Sequence, residues 1–342
     1  MVKLGDVINV HYGKALKADQ RVSNGSVHVF GSSGIVGNHD KTLCSYPTII
    51  IGRKGSVGAI TWAPDGGWII DTAYYVEIKD NNKLDLRYLF YILSGIDLTK
   101  KTITTSIPGL NRDDLYDTFI KLPPFEEQKR IVDLLDKAEG IRQKREQAIK
   151  LADDFLRATF ATMYGNPITN PKKWPVHLMG EIIEFKGGNQ PPKSDFIFEP
   201  KQGYIRLVQI RDFKSDKYAT YIPQEKAKRI FEVDDVMIAR YGPPVFQILR
   251  GLSGSYNVAL MKASPKENIR KGFIFYLLQL PEYHDVVVKN SERTAGQTGV
   301  NLELLNKFNV PLPPIYYQDE ILARLARIEK FKEKIEISLN HL

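Results

Sequence analysis

The chain has 342 residues, 43% of them hydrophobic, and a formal charge of +8, which is enough apolar material for two cores and a bias toward acidic partners, nucleic acid foremost. A single cysteine, Cys44, excludes an internal disulfide and reads as a small core residue in a reducing, cytoplasmic protein. The start, MVKLGDVINV, has no signal-peptide design, and the apolar runs at 88–93 and 273–280 fall far short of the roughly 20 residues that span a bilayer.

Residues 1–121 read as a first mixed α/β domain. Short β-type runs punctuated by glycine cover 27–31, 48–52, 59–62, 68–70 and 73–78, and Asp65-Gly66-Gly67 reads as a hairpin turn. Asp85 to Leu93 predicts a helix with Leu86, Leu89, Phe90 and Leu93 inward, and 99–112 a polar, basic loop. From Leu122-Pro123-Pro124 to Gly165 the pattern predicts one long helix. Proline suits its entrance, Glu126 and Glu127 suit the positive end of its dipole, and Gly165-Asn166-Pro167 stops it. Positions 131, 134, 138, 141, 145, 148, 152 and 155 alternate steps of three and four, a coiled-coil seam broken by Arg145 that needs a partner helix.

The partner lies in the same chain. After a turn-rich stretch at 166–175 the pattern restarts. Met179-Gly180-Glu181-Ile182-Ile183 follows Leu4-Gly5-Asp6-Val7-Ile8, and Leu312-Pro313-Pro314 follows Leu122-Pro123-Pro124 at an offset of 312 − 122 = 190. Gln318, Ile321 and Leu325 fall on Gln128, Ile131 and Leu135, and Gly299-Val300-Asn301 on Gly109-Leu110-Asn111, at that same offset. The matches are collinear, so the chain is a tandem duplication of globule plus helix: a domain at 1–121, a helix at 122–165, a second domain at 166–311 and a shorter helix at 312–342. Ile131, Leu135, Ala138, Ile321, Leu325 and Ile328 are the expected helix-pairing residues.

Catalytic signatures are sparse. No phosphate-cradling loop, H-E-x-x-H or cysteine cluster occurs. Asp65, Glu77 and Lys79 resemble a PD-(D/E)xK arrangement, in which two carboxylates hold a divalent metal, and leave a metal-dependent nuclease as the alternative. A coiled-coil scaffold that binds only protein is a third class. What remains is binding chemistry, with cations for phosphates and polar or flat side chains for base edges gathered in loops. These are Lys14, Lys17, Arg53, Lys54, Lys101, Thr104 and Thr105 in the first copy. In the second they are Lys186, Asn189, Gln190, Arg211, Arg240, Tyr241, Arg293 and Gln297. Similar loops carrying different residues fit two readers of different base sequences.

The segments LPPFEEQKRIVDLLDKAEGIRQKREQAI, FGSSGIVGNHDK (30–41), IIIGRKGSVGAI (49–60) and SIPGLNRDDL (106–115) resemble the specificity subunit of type I restriction–modification systems. The resemblance implies an α+β chain of two tandem target recognition domains, pseudo-two-fold symmetric, each reading half of a bipartite double-stranded DNA site. The two long helices would pair as an antiparallel coiled coil, set the half-site spacing and dock two methyltransferase subunits. A restriction (endonuclease/translocase) subunit would join for cleavage. This chain would hold no cofactor or metal of its own; S-adenosylmethionine, ATP and Mg would sit on the partners. The closing helix, about 28 residues, departs from the longer one common in the family.

Overall fold

The computed structural model describes residues 1–103, 109–242, 244–293 and 299–340. The chain forms two compact units, Met1–Arg142 and Gln143–Leu342, with the division inside its longest helix. Among the described residues no helix is long and apolar enough to cross a membrane.

The first unit has strands β1 (Ile8–Tyr12), β2 (Val27–Gly31), β3 (Gly34–His39), β4 (Thr48–Gly52), β5 (Ile60–Ala63), β6 (Trp68–Ile69) and β7 (Ala73–Ile78). Four of them make an antiparallel sheet in the order β1-β7-β4-β5. All five residues of β4, Thr-Ile-Ile-Ile-Gly, are buried, as a central strand covered on both faces requires. A second sheet has the order β3-β2-β6, with β2 and β6 parallel. The turn at Asp65-Gly66-Gly67 therefore does not close a hairpin. Gly66, at φ +69°, carries the chain from one sheet into the other. Cys44 is buried against Phe30 and Ile50 under this second sheet.

Helix α1 (Leu86–Ser94) starts on Asp85, whose carboxylate accepts from the Tyr88 N–H at 2.8 Å. It buries Tyr88, Leu89 and Leu93, with Leu86 and Phe90 at the margin. The expected loop at 99–112 holds more order than its composition suggests. Thr102–Ile103 pairs with Gly109–Leu110, and α2 (Arg112–Tyr116) starts on Asn111, whose side chain accepts from the Asp113 N–H. The long helix α3 runs over Phe125–Tyr164, beginning just after Pro124.

The second unit has β8 (Ile183–Gly187), β9 (Tyr204–Val208), β10 (Tyr221–Pro223), β11 (Ile230–Phe231), β12 (Val236–Ala239), β13 (Ile248–Leu249), β14 (Gly254–Tyr256) and β15 (Leu260–Pro265). Its first sheet, β8-β15-β12-β13, repeats the strand order of the first unit. Its second, β10-β9-β14-β11, again contains one parallel pair, β9 with β14. Helices α4 (Lys271–Leu277), α5 (Pro281–Arg293), α6 (Leu302–Asn306) and α7 (Ile315–Asn340) follow.

Within this unit the last half of α3 lies antiparallel to α7. Arg145 donates to the Ser338 carbonyl at 2.6 Å, Lys332 pairs with Asp153 at 2.7 Å, and the Tyr317 hydroxyl donates to the Met163 carbonyl at 3.1 Å. One number rises as its partner falls. Arg145, the break in the expected seam, is thus part of the pairing. The buried face is Ala152, Leu156, Phe160 and Tyr164, the last three packed in one core with Ile321 and Leu325 and, at its edge, Ile328. The 3-4 seam is corrected here: Leu134, Ile141 and Phe155 are 69%, 44% and 60% exposed. A straight helix has 3.6 residues per turn, so its buried face drifts off a strict 3.5-residue repeat, and here the spacing settles at four. Ile131 is also reassigned. It packs on the core of the first unit beside Val132, while Leu135 and Ala138 are half-buried on the same helix.

Both long helices are fastened to their globules by a fully buried glutamine. The Gln128 amide donates to the carbonyls of Lys83 (2.8 Å) and Pro123 (2.9 Å) and accepts from the Asp85 N–H (2.9 Å). Gln318 donates to Asn268 (2.8 Å) and Pro313 (2.8 Å) and accepts from the Arg270 N–H (2.9 Å). Leucine at either position would leave three backbone groups, part-buried or buried, unpaired. Gln128→Leu and Gln318→Leu are each expected to cost about 2–4 kcal/mol in their own unit, read from hydrogen exchange resolved by segment.

Candidate nucleic-acid interface

In each unit the same three chain segments converge where the first sheet ends. In the first unit they are the end of β1 at Tyr12-Gly13, the turn after β4 at Arg53-Lys54, and Gly109–Arg112. Gly13 crosses the backbone before β7 so closely that a Cβ would stand 2.0 Å from the Ile70 carbonyl oxygen. The N–H groups of Arg53 and Lys54 both donate to the Thr72 carbonyl, at 2.9 and 3.1 Å, and the Leu110 N–H donates to the Arg53 carbonyl at 2.9 Å. The Tyr74 hydroxyl closes the group by donating to the Leu110 carbonyl at 2.9 Å. Burial, with Tyr12 adding and Arg53 opposing, pushes the Tyr74 phenol up to about 12, so it keeps the proton it donates.

The second unit repeats this framework. The Gly188 Cβ would stand 2.0 Å from the Asn257 carbonyl oxygen. The Arg240 N–H donates to the Ala259 carbonyl at 2.8 Å, and the Val300 N–H donates to the Arg240 carbonyl at 3.0 Å. Arg53 and Arg240 therefore occupy one backbone position, the residue after β4 in one unit and after β12 in the other, each third in the order of its sheet, held by the same cross-link from the segment before a short helix.

Their side chains differ. The Arg53 guanidinium lies 5.1 Å from the Tyr12 ring centroid and 5.8 Å from that of Tyr74, and donates to the Asp71 carbonyl at 3.2 Å. Arg240 lies 5.1 Å from the ring of its neighbour Tyr241. Gly187, where the first unit has Tyr12, makes room for it, since a Cβ there would be 2.9 Å from Nη1. Tyr241 in turn lies over Gly299. Lys54 and Tyr241 are exposed. Among the described residues, Arg53 and Arg240 have no carboxylate partner, whereas Arg87, Arg206 and Arg270 are neutralised by Asp136, Asp216 and Asp319. Unneutralised arginines at a loop cluster are what a phosphate-lined partner requires.

The other expected contacts divide. Asn189 joins the second cluster through its N–H, which donates to the Tyr256 carbonyl at 3.1 Å, and Gln190 turns its amide to the Pro191 carbonyl. Lys186 pairs with Glu184 at 2.8 Å, and Arg211 sits over Tyr218 with its Nη2 donating to the Tyr218 carbonyl, away from the strand-end framework. Lys14 and Lys17 are exposed on the loop leaving β1. Thr104, Thr105 and Gln297 lie outside the described residues, as do the side chains of Lys101 and Arg293. Sequence reasoning passed over Tyr12, Arg112 and the paired glycines. Arg112 was masked by Asp113 and Asp114 beside it, and the glycines carried a signal only in their common place after the first strand.

The nuclease arrangement does not form. Glu77 is engaged with His11 at 2.9 Å, and the Lys79 amine donates to the Gly5 carbonyl at 2.6 Å. Among the described residues no group of three or more His, Cys, Asp or Glu could hold a metal ion.

Residues 1–151 and 171–341 match the family described as type I restriction modification DNA specificity domain. Over 336 residues the chain is 22% identical to the type I restriction enzyme EcoBI specificity subunit of Escherichia coli, covering 86% of this chain and 70% of that protein. To the MjaVIII specificity subunit of Methanocaldococcus jannaschii it is 21% identical, covering 77% and 69%. Its fold is similar to that of the S subunit of a type I restriction–modification system from M. genitalium, with a TM-score of 0.62, 16% identity and coverage of 99% and 91%. A second similar fold comes from a study of complex assembly and conformational transition in a type I R-M system, at TM-score 0.56, 20% identity and coverage of 99% and 92%.

The close backbone approach at Gly13 and Gly188 leaves no space for a side chain. Gly13→Ala and Gly188→Ala are each expected to lose about 1–3 kcal/mol through forced displacement of the facing loop, measured by urea unfolding followed in the affected unit.

Proposed function

Because the chain belongs to the type I restriction modification DNA specificity family, we propose that each of its units reads one half of a bipartite double-stranded DNA site, with Arg53 and Arg240 as corresponding contacts. The observation that carries this is the repeated strand-end framework. Two arginines are fixed by the same backbone bonds in two units and, among the described residues, are left without a neutralising carboxylate. The framework is common while its side chains differ, so the units suit different half-sites.

The chain works as the DNA-recognition subunit of a multisubunit enzyme. The paired helices dock two methyltransferase subunits and set the gap between half-sites, and a restriction subunit joins for cleavage. S-adenosylmethionine, ATP and Mg are handled by those partners. The assembly is cytoplasmic, where the DNA is. The exposed helix residues Leu134, Ile141 and Phe155, which the chain leaves uncovered, support helix faces that meet another protein.

The test is to express the chain with its neighbouring methyltransferase in a host lacking its own and map modified adenines across the genome. A split motif, two short half-sites with a fixed gap, is expected. In the assembled complex Arg53→Ala and Arg240→Ala should each weaken binding to that motif by about 1–3 kcal/mol. Unaltered binding by both variants would remove these arginines from the interface. No modification by a folded, partner-bound chain would remove the DNA-reading assignment.

A further inference from the structure

Two arginines share one tyrosine ring in the first unit. The guanidinium of Arg112 lies 5.3 Å from the Tyr12 ring centroid, and that of Arg53 lies 5.1 Å from it. The same Arg112 group is 5.9 Å from Tyr116. Like charges gathered on one ring repel, and the arrangement asks for an anion. The chain supplies none, since among the described residues neither arginine has a carboxylate partner and the buried Arg112 Nε has no hydrogen-bond acceptor. Tyr12 itself is 47% exposed, so the group opens to a ligand.

The second unit does not repeat this feature. Gly187 ends β8 where Tyr12 ends β1, and Leu302 opens α6 where Arg112 opens α2, each after a capping asparagine. The paired guanidiniums are therefore a device of one unit on a framework common to both.

We propose that Arg53 and Arg112, held on the Tyr12 ring, together grip one phosphodiester group of the half-site read by the first unit. Arg112 is a DNA contact and Tyr12 a positioning residue. This rests on the DNA-recognition reading above. A phosphate fits better than a base edge because two adjacent cations need a full opposite charge, whereas a base edge offers partial charges to one planar guanidinium. The grip adds affinity and registers the unit on the duplex without choosing a base.

The experiment uses the complex of the full chain with its methyltransferase. Binding is measured across a salt series on a duplex carrying the mapped motif and on an unrelated duplex, and the motif is remapped for each variant. Arg112→Ala is expected to weaken both duplexes about 3–10-fold, to lower the slope of log affinity against log salt by about one, and to leave the motif unchanged. Tyr12→Leu should behave in the same way, and Tyr12→Phe, which keeps the ring, should restore wild-type binding. Continued reading of the second half-site certifies a folded chain in every variant. If Tyr12→Leu abolishes methylation outright, Arg112→Ala and Tyr12→Phe decide the matter. Wild-type affinity and slope for Arg112→Ala would overturn the proposal. So would loss of base preference in one half-site at an unchanged slope, and a Tyr12→Phe defect equal to that of Tyr12→Leu would overturn the role of the ring. A wild-type complex with no split motif would sink the DNA-recognition reading itself, an outcome distinct from a wild-type motif that Arg112→Ala leaves intact.

Discussion

The long helices start where they do because of one amide in each unit. A helix entrance leaves backbone groups without intrahelical partners, and a proline-proline entrance presents carbonyls with no N–H to match them. Gln128 meets this by bonding three backbone groups from two segments at once. One of them is the N–H of Asp85, the residue whose carboxylate caps α1. The start of the long helix and the start of the short helix are thereby tied through one side chain. Gln318 ties α7 to the cap of α4 in the same way. A second fastening lies further along each helix. The Tyr91 hydroxyl and Arg87 both bond Asp136, and the Tyr276 hydroxyl and Arg250 both bond Glu329. Burial holds the Tyr276 phenol well above its ordinary value, so it remains a donor throughout the physiological range.

These fixed points let the strand ends vary. The strand-end loops are anchored by backbone bonds, and a backbone N–H or carbonyl is the same whatever the side chain. The Leu110 and Val300 N–H groups reach the carbonyls of Arg53 and Arg240 with nearly equal geometry, while the residues around each arginine have diverged. The result is a pair of arginines in one structural position with different neighbours: a tyrosine from another strand in one unit, and a glycine with an adjacent tyrosine in the other. A duplicated reader needs this separation, since each copy must keep its frame while changing what it recognises.

Much of the architecture was legible in the chain. Leu-Pro-Pro followed by glutamine at the same spacing in both copies marked two helix entrances, and the strands at 27–31, 48–52 and 73–78 followed from β-branched runs bounded by glycine. Other readings did not survive. The turn at 65–67 looked like a hairpin because local sequence reports a reversal and not which sheet receives the next strand. The regular 3-4 seam overstated the pairing. Apolar residues at 134 and 141 satisfy the repeat, but a straight helix turns them away from the buried face. At the site, Arg53 and Arg240 were marked by their loops, whereas Lys186 carried the same charge signal and is neutralised by Glu184.

By itself the sequence pointed to the duplication, the two long helices and their Leu-Pro-Pro entrances, the strand-rich globules and the family, because these are written in local spacing and in repeated motifs. Only the tertiary structure decided which basic residues are left without a partner, which glycines are demanded by a crossing backbone, and that Tyr12, Arg53 and Arg112 form one group. Those facts depend on segments about forty to a hundred residues apart meeting at the end of a sheet, and neither charge nor periodicity records where a chain will cross itself.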